Sequence, residues 1–121
     1  MVISRMEEKR GSGKIRIMIA DDFELLREDM RELIDRQEDM EVVGTAGSGK
    51  GIVELAADTE FDIILMDIEM ENPNAGITAT EQIREMLGNA NIIFLTVHDT
   101  NEMILTAMGA GAVDYLVKGC K

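Results

Sequence analysis

Five short β-rich runs, separated by stretches of helical period, constrain this chain more than any other feature. The runs are Ile15–Ala20, Glu41–Ala46, Phe61–Asp67, Asn91–Thr96 and Ala112–Val117. Their lengths and flanks, and in Phe61–Asp67 two isoleucines, favour buried strands over helix segments. Between them, Leu26, Met30, Leu33 and Ile34 mark a helix that begins at Phe23, with Asp21 or Asp22 placed to cap it. Gly47–Gly51 reads as a turn and Ile52–Ala57 as a short helix. Glu69–Gly76, which holds the only proline, reads as a loop. Ile77, Ala79, Thr80, Ile83, Met86 and Leu87 mark a third helix, stopped by Gly88-Asn89, and Asp99–Gly109 a fourth. Strands alternating with helices at this spacing form βαβ units, so the expected class is α/β: a doubly wound parallel sheet with helices on both faces.

Length and charge narrow the function. A chain of 121 residues makes one domain with one core. Residues 1–13 mix charge with Gly11-Ser12-Gly13 and show no period, so they read as a flexible tail, with the folded domain over 14–121. No apolar run approaches membrane-spanning length, and the N-terminus lacks the apolar core of a secretory signal. Cys120 is the only cysteine and has no internal disulfide partner, which fits a reducing cytoplasm. A formal net charge of -12 repels phosphate backbones and argues against direct nucleic-acid contact by this segment. The same acidity suits divalent cations and basic partners.

In a parallel sheet, ligands and chemistry gather just beyond the carboxyl ends of the strands. The first strand delivers Asp21 and Asp22 there, the third Asp67, the fourth Thr96 and the fifth Lys118. Crowded carboxylates repel one another, and a hard dication with oxygen ligands relieves the repulsion, which suits Mg²⁺. A hydroxyl and an ammonium on the same rim are donors for an arriving oxyanion. A carboxylate can attack phosphorus and carry the group as an aspartyl-phosphate. Each residue has a plainer reading alone: Asp21 and Asp22 as a helix start, Thr96 as a strand end, Lys118 as a surface lysine. Four strand ends supplying compatible groups is what those plain readings explain poorly.

Asp21-Asp22, Met66-Asp67, Leu95-Thr96 and Tyr115-Leu116-Val117-Lys118, in that order, resemble the hallmarks of the receiver domain of bacterial two-component response regulators. The resemblance runs from Lys14 to the end. It implies a flavodoxin-like sheet in the order 2-1-3-4-5, and phosphorylation of Asp67 by a sensor histidine kinase. It also implies that Asp22, Asp67 and the backbone carbonyl of Glu69 hold Mg²⁺ (or Mn²⁺), with Asp21 helping through water. Thr96 and Lys118 would contact the phosphoryl oxygens. Tyr115 would turn inward as Thr96 moves, coupling the site to an output surface on the over-apolar helix 99–109. Such a domain is a phosphoacceptor and not an enzyme, beyond self-phosphorylation and slow self-dephosphorylation. Gly44, Ala46 and Thr96-Val97-His98-Asp99 look like regulators of the NarL/LuxR type, which implies a transcription factor with a C-terminal helix-turn-helix that binds DNA.

The sequence also departs from the family. Glu71 stands where a proline usually follows the Met70 position, Pro73 comes later, and the loop to Gly76 is about one residue longer. Glu69 is an additional acid beside the site, Val97 takes the place of a smaller residue, and His98 is read as a rim residue rather than a phosphodonor. No helix follows the fifth strand, so part of one sheet face should lie bare, and a homodimer through that face is the accompanying expectation. Two rivals remain open. One is a receiver-like module that binds proteins without phosphorylation. The other is a phosphate-binding loop at Gly44-Thr45-Ala46-Gly47-Ser48-Gly49-Lys50-Gly51, although Gly51 occupies the place of its metal-binding hydroxyl.

Overall fold

The computed structural model of the protein describes residues 13–96 and 101–117. In chain order the elements are β1 (Ile15–Ala20), α1 (Glu24–Asp35), β2 (Met40–Ala46), α2 (Gly49–Asp58), β3 (Ile63–Asp67), α3 (Ala75–Met86), β4 (Asn91–Thr96), α4 (Asn101–Gly109) and β5 (Asp114–Val117). All strand pairs are parallel, in the order β2-β1-β3-β4-β5. Both the α/β class and the 2-1-3-4-5 order expected above are what the chain adopts. Residues 1–12 lie outside the described residues, so the expected tail does too, apart from Gly13.

The sheet has two unequal faces. One carries Met18, Ala20, Ile64, Met66, Ile92 and Phe94, packed with Ile52 and Ala56 of α2, Ile77 and Ile83 of α3, and Ala107 of α4. This is the main core, and Phe94, Met18, Ile64, Met66 and Ile92 are fully buried in it. The other face carries Ile15, Ile17 and Ile19, against which Met30 and Ile34 of α1 pack. Beyond α1 this face thins out: Leu65 and Ile93 are half-buried, and Leu116 is 52% exposed. This is the face expected from the sequence to lie partly bare.

The first three helices start elsewhere than expected, each for a specific physical reason. The first helix opens after Phe23 with no side-chain cap; Asp21 and Asp22 do not cap it. Instead Oδ1 of Asp21 accepts the Phe23 N–H at 2.9 Å, which turns the chain out of β1. The second helix begins at Gly49, three residues before the expected Ile52, because the Ser48 hydroxyl accepts the Gly51 N–H at 2.9 Å. Glycine weakens a helix interior, yet in the first turn the outcome hangs on whether the free N–H groups find acceptors. The third begins at Ala75, and Gly76 lies inside it because α3 starts hard against the end of β3. Its N–H donates to the Ile68 carbonyl at 2.8 Å, and a Cβ there would run into the Asp67 carbonyl.

Candidate functional site

Register brings the acids together. Ala20 at the end of β1 pairs with Met66 in β3, so the next residues, Asp21 and Asp67, stand side by side at the carboxyl end of the sheet. One carboxylate oxygen from each of Asp21, Asp22 and Asp67 lies within 4.8 Å of the others. Asp21 is fully buried and Asp67 nearly so, while Asp22 is exposed at the mouth. The rim expected from β1 and β3 is therefore present, with an all-oxygen donor set of the kind that hard dications take.

Asp21 is fixed from several directions. Its N–H continues the ladder to the Ala46 carbonyl at 3.0 Å, and its own carbonyl accepts from Nη1 of Arg27 at 2.7 Å. Arg27, one turn into α1, thus ties that helix to the end of β1. Its Nε is buried with no hydrogen-bond partner among the described residues.

The loop after β3 carries the other candidates. Glu69 is exposed, two residues beyond Asp67. Glu71, a residue whose role sequence reasoning missed, reaches the start of α2. Its Oε1 accepts the Gly49 N–H at 2.7 Å and its Oε2 the Lys50 N–H at 3.2 Å. Burial pushes the Glu71 carboxyl up, but the N–H groups of Gly49, of Glu71 itself and of Lys50 outweigh it and hold the group below the usual glutamate range. The first turn of α2 contains no acid of its own, and the Glu71 carboxylate supplies one from the neighbouring loop.

Thr96 ends β4 beside Val117 of β5, at the same end of the sheet as the acids. Its side chain lies outside the described residues, as do Val97, His98 and Lys118. Tyr115 is half-buried in β5, opposite Phe94, and packs against the main core. On α4, Leu105 is 73% exposed and Met108 41%, while Ala107 is buried.

Residues 17–121 match the sequence model of the response regulator receiver domain. The chain belongs to that family. It is similar to the uncharacterized transcriptional regulatory protein YxjL of Bacillus subtilis, at 46% identity over 87% of this chain and 48% of the relative. Transcriptional regulatory protein LiaR of the same organism is 38% identical over 88% of this chain and 50% of its own length. Among solved structures, a LuxR-family two-component response regulator from Aurantimonas is 36% identical, with a TM-score of 0.84 over 89% of this chain and 76% of that one. The receiver is thus of the NarL/LuxR kind. It spans about half the length of these curated relatives. No helix among the described residues is long and apolar enough to cross a membrane.

Proposed function

We propose that this receiver accepts a phosphoryl group on Asp67 from a sensor histidine kinase in the cytoplasm. The observation that carries the reading is the convergence of three carboxylates at the carboxyl ends of β1 and β3, in a chain of this family. An Asp67 oxygen bonds to phosphorus as the P–N bond of a phosphohistidine breaks. The electron pair stays with the imidazole nitrogen, which takes up a proton. Asp22, Asp67 and the Glu69 carbonyl would hold Mg²⁺ or Mn²⁺, with Asp21 assisting through water. The ion, when bound, offsets the charge of the carboxylates and of the incoming phosphoryl oxygens. Thr96 and Lys118 supply donors to those oxygens. The domain is a phosphoacceptor, not an enzyme acting on other substrates.

The phosphoryl group adds charge and acceptor oxygens where Thr96 ends its strand. Thr96 moves toward them, Tyr115 turns inward, and the exposed apolar residues of α4 become the output surface. A switch of this kind needs a difference in affinity between two conformations, several kcal/mol for a near-complete flip. The relatives are transcriptional regulators of about twice this length. The output here is then control of a C-terminal DNA-binding domain, with no nucleic-acid contact by the receiver itself. The half-covered face around Leu65, Ile93 and Leu116 is the proposed self-association surface. A clean monomer in sedimentation at high concentration counts against that part.

Incubation with Mg²⁺ and acetyl phosphate should give an acid-stable, base-labile phosphoryl adduct by mass spectrometry, absent in Asp67→Asn. An unmodified wild-type mass favours the phosphorylation-independent module instead. The phosphate-binding loop is disfavoured by geometry, because the Glu71 carboxylate sits on the Gly49 and Lys50 N–H groups that such a loop would offer to a phosphate.

A further inference from the structure

We propose that Glu71 is a positioning residue for the metal and phosphoryl site, acting through the loop that presents the Glu69 carbonyl. This rests on the receiver chemistry proposed above. The loop between β3 and α3 is knotted around Asn72. The Met70 and Ala75 N–H groups each donate to the Asn72 carbonyl at 3.2 Å, and the Asn74 N–H donates to Asn72 Oδ1 at 2.9 Å. The Gly76 N–H to Ile68 carbonyl bond, at 2.8 Å, hangs this turn from the end of β3. Glu71 then ties the turn sideways to the neighbouring βα unit, through two hydrogen bonds to the first turn of α2.

The seat is close. A Cβ on Gly49 would lie 2.9 Å from the Ala75 carbonyl oxygen and 3.3 Å from Glu71 Oε2. Only a bare backbone at that position lets the α2 start, the Glu71 carboxylate and the α3 start meet. The carboxylate also meets the positive end of a helix whose first turn lacks an acid, so charge and hydrogen bonding agree. A proline at this position would restrict the loop through its own ring. Here an anchor in space does the restricting. Glu69 lies two residues before that anchor and two after Asp67, so the direction of its carbonyl depends on where Glu71 is held. Groups that orient metal ligands from behind govern affinity strongly, because a ligand that must be ordered at binding costs entropy.

The test is Mg²⁺ titration by calorimetry, together with the rate of adduct formation from acetyl phosphate, on wild type, Glu71→Ala, Glu71→Gln and Gly49→Ala. Glu71→Ala should weaken Mg²⁺ binding roughly tenfold, the low end of what such partners contribute, and slow adduct formation in proportion at subsaturating Mg²⁺. Glu71→Gln keeps one acceptor for one N–H and should fall between Ala and wild type. Gly49→Ala should act in the same direction by wedging the seat open, and it serves if Glu71→Ala does not fold. Variants that melt earlier yet bind Mg²⁺ and react like wild type overturn the positioning role and leave the receiver chemistry standing. A wild type that neither binds Mg²⁺ nor forms the adduct overturns the receiver chemistry, and the role with it.

Discussion

The two ends of the sheet treat buried aspartate in opposite ways. At the amino end, Asp62 is 7% exposed and faces Arg16. Its Oδ2 accepts the Arg16 N–H at 2.8 Å and Nε at 3.3 Å, and its Oδ1 accepts Nη2 at 3.2 Å. The Arg16 pKa is raised, first by the hydrogen bond to Asp62 and against the pull of burial. Asn91 donates to the Asp62 carbonyl at 3.3 Å, so the pair also stitches β4 to the start of β3. Above this pair lies a cleft of about 510 Å³. At the carboxyl end, Asp21 and Asp67 are as deeply buried, and one carboxylate oxygen of a further acid, Asp22, lies within 4.8 Å of one from each. An acid matched to a guanidinium is a structural joint. Acids brought to one another form a candidate site for a hard dication, which offsets their mutual repulsion.

The comparison is broken most decisively by Asp67→Asn. It should abolish the phosphoryl adduct entirely while leaving the far-ultraviolet circular dichroism spectrum unchanged. At the other end, Asp62→Ala should cost about 1.5–3 kcal/mol in urea unfolding, the range for hydrogen bonds to a charged group, with Mg²⁺ affinity unaltered. The partial exposure of the Arg16 side chain, 26%, keeps the figure below that of a fully buried pair. If Asp62→Ala also weakens Mg²⁺ binding, the two ends are coupled and the division fails. Mg²⁺ at about a hundred times its dissociation constant should stabilise wild type by roughly 2.7 kcal/mol. The same addition should stabilise Asp62→Ala equally.

How much of this was legible in the sequence follows from how local each cause is. The strands β1 and β4 were readable to the residue, because Ile15–Ala20 and Asn91–Thr96 are compact isoleucine-rich runs that each end on a small or polar residue. Asp21, Asp22 and Asp67 were readable as one site because parallel strands deliver their carboxyl ends to the same edge. The starts of α2 and α3 were not readable, since Gly49 and Gly76 count against a helix by propensity. What places them inside goes beyond propensity: for the first, the Ser48 cap together with Glu71 and Ala75, which are remote in sequence, and for the second, the end of β3. Asp62 read as part of a strand because Phe61–Asp67 is one apolar run. Its carboxylate instead grips Arg16 across the sheet edge, and β3 begins only at Ile63. Long-range polar contacts carry no periodicity, which is why they went unseen.

The smallest expected effect tests the idea of mutual repulsion directly. Asp22 is the exposed member of the trio, so Asp22→Asn removes one charge without opening a cavity or stripping a core contact. If the acids repel one another, the apo protein should melt higher by roughly 2 °C, a few tenths of a kcal/mol in a domain of this size. The sign should reverse once Mg²⁺ is present. Wild type gains the full binding energy and the variant only part of it, so wild type becomes the more stable of the two. Lowering ionic strength should widen the apo difference, because the mouth of the site is exposed to solvent and screened by salt. A variant that melts lower than wild type in the absence of Mg²⁺ shows that Asp22 is already held by favourable contacts. The carboxyl end would then resemble the Arg16–Asp62 joint, and the contrast drawn between the two ends would not hold.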